Sequence, residues 1–361
     1  MNSTSVTQNL SDPLQQCSSF HETTEAKIAK TLAYAVIILI SLFGNSAIVL
    51  VIFKTQSLHN TTSYLIANMA VSDLLLPIFA MPRMVSGVYL QSNQWLIDGD
   101  FGLALCKLIP FFQDISTAVS TQSLVLIAID RFYSVFYPVK ATVMSSTPVK
   151  IAIPFTWLIA IGIHSPYFYI YRFYVYNGEI HCLLNWSPLL DNMKAQKFYF
   201  VVLSILLFIL PLSVIACLYT AVVLRLKRQQ FPGHYQSENA RKLREKRNNA
   251  ILKLCVVIVL VFIVCWTPFV TFVFLKFFIW ETLDCGHPNP AFIVHFIAHS
   301  ISAINPCIYF LFSSSYRQGL REIFPYVSHV RRFSRVLPAQ EIEQLEMRAR
   351  ARTLSSYVKT F

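Results

Sequence analysis

The sequence predicts an all-α membrane protein: a seven-transmembrane helix bundle with a short amphipathic helix after the last span. Three observations carry this reading. The 361-residue chain is 55% hydrophobic and only 13% charged, against about 25% charged residues in soluble domains, and its mean hydropathy is +0.52. Seven apolar runs, at 31–53, 64–82, 108–129, 151–171, 198–224, 254–275 and 291–312, each come near or exceed the ~20 residues a helix needs to cross ~30 Å of hydrocarbon. Helices are expected because lipid satisfies no backbone hydrogen bond, so each span must do so internally. Beyond the last run, Tyr316, Leu320 and Phe324 fall at i, i+4 and i+8 with Arg317 and Arg321 to one side, the pattern of a helix lying on a membrane surface.

Basic residues set the expected orientation. With everything after 312 inside, 22 of the 30 Lys and Arg residues lie on the inner side, as the positive-inside rule requires. Residues 1–30 then form an extracellular tail, 31–324 the membrane domain with its surface helix, and 325–361 a cytoplasmic tail. The net charge of +12 follows from this topology, so the lipid bilayer, and no nucleic acid, is the expected surrounding. The N-terminus lacks the basic start and apolar core of a cleaved signal peptide, so the first span is expected to direct insertion. Asn2 and Asn9 open glycosylation sequons on the outer side. A third triplet, Asn60-Thr61-Thr62, would face the cytosol, and Pro188 follows a fourth, Asn185-Trp186-Ser187.

The eight cysteines divide by position. Cys217, Cys255, Cys265 and Cys307 fall within spans and read as buried thiols. Cys17, Cys106, Cys182 and Cys285 fall outside them, where oxidation is permitted. A bridge between Cys106, just before the third span, and Cys182 would tie the second outer loop onto that helix. Cys17 and Cys285 are candidates for a second pair, which nothing in the sequence fixes. No repeat suggests a duplicated transporter, and no metal-ligand cluster, nucleophile elbow or phosphate loop suggests an enzyme.

Polar residues inside spans are costly and mark candidate functional positions. Asn45 interrupts the first span, Asp73 the second, Asp130 and Arg131 close the third, and Trp157 lies in the fourth. Pro211 breaks the fifth, with Tyr219 two turns on. The sixth carries Phe262, Trp266 and Pro268, and the seventh Asn305, Pro306 and Tyr309. This set, in this order, with its cysteine pair, resembles the rhodopsin-like, or class A, G-protein-coupled receptors over 31–324.

The resemblance implies roles. Arg131 would be held by Asp130 in the resting state and meet a heterotrimeric G protein in the active one; a guanidinium suits such an exchange because its charge does not titrate. Read alone, it would be a snorkelling interface charge. Phe132 stands where the family usually has Tyr, and Asn248 and Asn249 stand where some relatives place an acid. Tyr219, Phe262, Trp266, Pro268, Asn305, Pro306 and Tyr309 match the activation motifs; Pro268 must free a carbonyl and bend its helix. Asp73, Ser120, Ser302 and Asn305 match a family sodium pocket, a polar water network being the other reading. Ile301 stands where relatives often have Asn or Ser. Arrestin and receptor kinase are further expected partners, the plasma membrane the expected location, and no cofactor beyond that allosteric sodium is expected.

The ligand class turns on Gln113, which matches the position where amine receptors carry an aspartate. Asp114 is adjacent, but a helix turns about 100° per residue, so it should face elsewhere. His299 matches the retinal lysine of opsins, and 291–312 contains no lysine. In 174–182, alternating residues flank Asn177-Gly178, a β-hairpin signal typical of peptide receptors. Arg83, Gln113, Glu179, Asp191, His295 and His299 are the candidate ligand residues. The expectation is a neuropeptide-type receptor; the alternative is a class A receptor for a small amine or lipid.

Overall fold

The computed structural model describes residues 22–90, 93–137, 147–176, 178–228, 238–280 and 288–323. Asn2, Asn9, Cys17, Asn177, Cys285, Phe324 and the tail 325–361 lie outside the described residues. Seven helices in the described residues are long and apolar enough to cross a membrane.

Helix α1 spans Thr24–Lys54. It begins within the segment read as an extracellular tail. The Thr23 hydroxyl accepts from the Ala26 N–H at 3.3 Å, Glu25 sits in the first turn, and Glu22 pairs with Lys30. Capping and a favourable charge at the helix start extend α1 past its apolar part, which hydropathy alone does not register. Helix α2 covers Thr61–Tyr89, with a π-helical turn at Leu76–Ala80 that contains Pro77. A two-residue strand β1 (Gln94–Trp95) follows, then α3 (Gly99–Phe136) with Pro110 inside it. Helix α4 covers Pro148–Ile170. Helix α5, Asn192–Leu226, has a second π turn at Ile205–Ile209 just before Pro211. Helices α6 (Glu238–Phe278) and α7 (Pro288–Phe312) enclose Pro268 and Pro306.

Strands β2 (Tyr171–Tyr176) and β3 (Glu179–Leu184) form the expected hairpin, paired from Tyr176 with Glu179 to Tyr171 with Leu184. Gly178 has φ +80°, a region that glycine occupies without a Cβ penalty. Strand β1 adds to the free edge of β3, giving sheet order β1-β3-β2. The Cys106–Cys182 disulfide is formed and fastens this sheet to α3.

Lipid offers no hydrophobic gain for helix association, so close packing and interhelical polar contacts hold the bundle. Gly44 of α1 lets Pro306 of α7 approach so nearly that a Cβ would lie 2.6 Å from its ring. The core joins Ile48, Leu65, Ile127, Ile258, Phe262 and Tyr309. Helix α8 (Ser314–Ile323) turns back beneath it, with Tyr316 buried. A Cβ on Gly319 would lie 2.7 Å from Thr55 and Val51. Burial pushes the Tyr316 phenol up, so it stays neutral facing the Ser63 hydroxyl at 3.4 Å. Cys255 and Cys265 are buried as expected, but Cys217 and Cys307 are exposed: their helical positions turn them outward, away from the core.

Candidate functional site

Polar side chains gather at three levels. At the end of the bundle near α8, Asp130 and Arg131 pair, and the Arg131 Nε also donates to Asp130 Oδ2 at 3.1 Å. Thr62 of α2 completes the group. Its hydroxyl donates to Asp130 Oδ2 at 2.7 Å and accepts from an Arg131 guanidinium nitrogen at 2.7 Å. One hydroxyl therefore serves both charges and ties the end of α3 to α2. Tyr219 and Tyr309 lie buried in the adjoining core. The side chains of Asn248 and Asn249 lie outside the described residues.

At mid-bundle, Asp73 is 2% exposed. Its carboxylate accepts from Ser120 at 2.9 Å and from the Asn305 amide at 2.7 Å, and Ser72 lies 2.9 Å from Ser120. Ser302 does not join them. Its hydroxyl donates to the His299 carbonyl at 3.0 Å and accepts from Ser41 at 3.0 Å, while Asn45 donates to the Ser302 carbonyl at 2.7 Å. In this structure the Ser302 oxygen is engaged in the α1–α7 contact. A cavity of about 10 Å³ borders Asp73, Ser116, Ser120, Phe262, Trp266 and Asn305, roughly the room one water needs. The Ser116 hydroxyl and the Asn305 Oδ1 are buried without a hydrogen-bond partner among the described residues. A carboxylate, hydroxyls and an amide oxygen are hard donors that fit a small hard cation.

Aromatic rings lead from the mid-bundle level toward the hairpin end. Phe208 lies 5.5 Å from Phe262, and Phe262 6.3 Å from Trp266, between centroids. The series continues through Phe269 at 5.7 Å, His295 at 5.0 Å and His299 at 6.1 Å, to Tyr34 at 6.1 Å. It thus crosses from α5 through α6 and α7 to α1.

At the hairpin end, the structure sorts the candidate ligand residues. Gln113 is half-buried, and its side-chain amide has no partner among the described residues. Asp114 turns toward α4, where the Tyr167 hydroxyl donates to it. Burial first, and then the Asp114 charge, push the Tyr171 phenol up. Arg83 lies over the Trp95 ring at 5.3 Å. Asp191 caps α5, accepting from the Lys194 N–H at 2.9 Å, and Glu179 opens β3 beside the turn. His295 bonds to the Ala291 carbonyl at 2.7 Å. His299 is 1% exposed, its Nδ1 3.3 Å from the Tyr34 hydroxyl, so it joins α7 to α1 within the bundle.

Several participants were not singled out from sequence. Thr62, Ser116 and Tyr34 are three. Asn68 is a fourth: its amide donates to Ser123 at 2.9 Å and Thr156 at 3.3 Å, and it accepts from the Trp157 indole at 2.9 Å. Polarity inside an apolar run was the available signal for Tyr34, Asn68 and Ser116, whereas Thr62 lies just outside the 64–82 run.

Comparison with known proteins agrees with this arrangement. The chain is 28% identical to the Substance-P receptor of Aquarana catesbeiana over 319 residues, covering 88% of this chain and 74% of that one. It is 30% identical to the QRFP-like peptide receptor of Branchiostoma floridae over 305 residues, covering 81% and 77%. The human Substance-P receptor is 26% identical over 321 residues, covering 88% and 74%. Residues 44–309 match the family described as 7 transmembrane receptor (rhodopsin family). With seven apolar spans, the disulfide-tethered sheet and the buried polar levels in place, the chain belongs to the rhodopsin family of seven-transmembrane receptors, multi-pass proteins of the plasma membrane that act as receptors and not as enzymes.

Proposed function

We propose that this protein is a cell-surface receptor activated by an extracellular peptide and signalling through a heterotrimeric G protein. Its N-terminus is extracellular and its C-terminus cytoplasmic, in keeping with the inner excess of Lys and Arg. The observation that carries the reading is the placement of two devices at opposite ends of α3. One end bears the sheet fastened by Cys106–Cys182; the other bears the Thr62–Asp130–Arg131 group. Peptide contact at the first is read at the second when Arg131 exchanges Asp130 and Thr62 for the G protein. The aromatic series through Phe262 and Trp266, next to Pro268, offers a packed route between ligand mouth and mid-bundle. Arrestin and receptor kinase act on the same inner side.

The peptide assignment draws on the similarity to the Substance-P and QRFP-like peptide receptors and on Gln113, which supplies no charge for an ammonium. A buried cation without an anion is expensive, and Asp114 is engaged by Tyr167. Asp73, Ser116, Ser120 and Asn305 would hold an allosteric sodium ion, which supplies a positive charge at mid-bundle.

The test is nucleotide exchange by an added heterotrimeric G protein, with peptides and biogenic amines offered side by side. A peptide should stimulate exchange. Stimulation by a monoamine at nanomolar concentration, lost in Asp114→Asn, would overturn the peptide assignment.

A further inference from the structure

Arg83 brings a full positive charge to the hairpin end of α2, and no acid answers it among the described residues. Its guanidinium lies over the Trp95 ring, 5.3 Å from the centroid, and among the described residues its one side-chain hydrogen bond is a long 3.5 Å contact with the Ser86 hydroxyl. The ring face stabilises a cation but accepts none of its in-plane hydrogen bonds, so most guanidinium donors lack an acceptor. Trp95 itself is 8% exposed, and its indole N–H is buried without a partner among the described residues. Two neighbouring side chains therefore offer donors and a charge with nothing to receive them. The pairs Arg131–Asp130 and Lys30–Glu22 mark the contrast, each cation meeting a carboxylate.

The location is well defined. Trp95 pairs with Ile180 in the sheet, and the disulfide holds that sheet on α3. Arg83 and Trp95 thus meet at the join of α2 with the hairpin, beside the ligand mouth. A partly buried guanidinium that lacks an anion is a standing cost, and a planar carboxylate matches its fork of donors.

We propose that Arg83 and Trp95 form a carboxylate site that receives an acidic group of the activating peptide. This rests on the peptide reading above. The group is either the peptide's C-terminal carboxylate or an Asp or Glu side chain, which share the same chemistry. Arg83 supplies the charge and paired donors, and Trp95 backs the guanidinium.

The probe is a panel of synthetic peptides, each made as free acid, as C-terminal amide, and with Asp and Glu replaced by Asn and Gln. Potency in nucleotide exchange is read on the parent receptor and on Arg83→Gln. Neutralising the correct carboxylate should lower potency about tenfold to a hundredfold on the parent and little further on Arg83→Gln, because the two changes remove one interaction. Sensitivity to amidation identifies the C-terminus; sensitivity to Asn or Gln identifies a side chain. Active peptides whose neutral forms keep full potency, or lose it equally on both receptors, overturn the site. A panel with no active member overturns the peptide reading instead, and a ligand-free measurement then decides the site. Purified Arg83→Gln should melt only slightly below the parent, since it gives up the Trp95 ring contact and the long Ser86 contact but leaves no internal acid without its partner; a fall as large as that of Arg131→Ala, which does leave an acid unpaired, means that Arg83 has an anionic partner within the protein, and the site fails.

Discussion

The Tyr167 hydroxyl donates to the Asp114 carboxylate, so the acid next to Gln113 is engaged at the α3–α4 contact while the Gln113 amide is left without a partner. Tyr171 and Tyr199 surround the same contact, with ring centroids 5.2 Å and 6.0 Å from Tyr167. Removing the donor leaves a half-buried carboxylate under-satisfied. Tyr167→Phe should cost about 1–3 kcal/mol of stability, seen as a lower melting temperature of the purified receptor. Tyr167→Phe combined with Asp114→Asn should recover part of that loss; strict additivity would show that the two residues do not act as a pair.

Thr62 shares its hydroxyl between Asp130 and Arg131. Thr62→Val keeps the shape and deletes both bonds, each contributing about 0.5–1.5 kcal/mol. Ligand-independent nucleotide exchange should rise several-fold, because the resting arrangement of Arg131 is weakened. Arg131→Ala should instead abolish exchange while ligand binding persists. Full signalling by Arg131→Ala at normal surface expression would remove Arg131 from the mechanism.

The disulfide gives a cycle of its own. Cys106→Ala and Cys182→Ala should each reduce surface expression and ligand binding, and the double variant should lose little more than either. In small secreted domains such a loss costs about 2–5 kcal/mol. Independent, additive losses would contradict a shared bridge.

Gly44 and Gly162 form a matched pair. A Cβ on Gly44 would meet Pro306 at 2.6 Å, whereas a Cβ on Gly162 would meet nothing within 4 Å. Gly44→Ala should destabilise the bundle by about 1–3 kcal/mol through overpacking, while Gly162→Ala should be neutral or gain up to about 1 kcal/mol from helix propensity. Thermal melting of both variants checks the direction; equal shifts would mean that the α1–α7 approach does not limit stability.

If sodium binds at mid-bundle, sodium chloride should raise the melting temperature above that in N-methylglucamine chloride of equal ionic strength, since an ion bound only to the folded state stabilises it. Asp73→Asn should erase the difference. An identical salt response in parent and variant would leave the cavity to water.

The seven spans were legible because each apolar run is long, and the hairpin because Asn177-Gly178 sits between alternating residues. The start of α1 was harder to read: Glu25, Lys27 and Lys30 lower the hydropathy of a turn that Thr23 nevertheless caps. Strand β1 has two residues, too few for any period, and forms because β3 offers an edge. The π turns at Leu76–Ala80 and Ile205–Ile209 sit near Pro77 and Pro211, but a proline in sequence does not specify which distortion relieves it. The centre of the polar network was readable at Asp73 and Asn305, whereas the direction of the Ser302 hydroxyl depends on a rotamer and on Ser41, 261 positions away. Tyr34 and His299 meet across a similar separation, beyond the reach of local pattern.

Helix α3 runs unbroken from Gly99 to Phe136, and it carries the bridged Cys106 near one end and Arg131 near the other. At 1.5 Å per residue the two are about 38 Å apart along one rod. Pro110 lies four residues inward of the bridge and has no N–H to offer the Cys106 carbonyl, so the rod has a soft joint directly beneath its handle. The missing hydrogen bond permits bending at that turn, whereas displacement along the axis does not draw on that freedom.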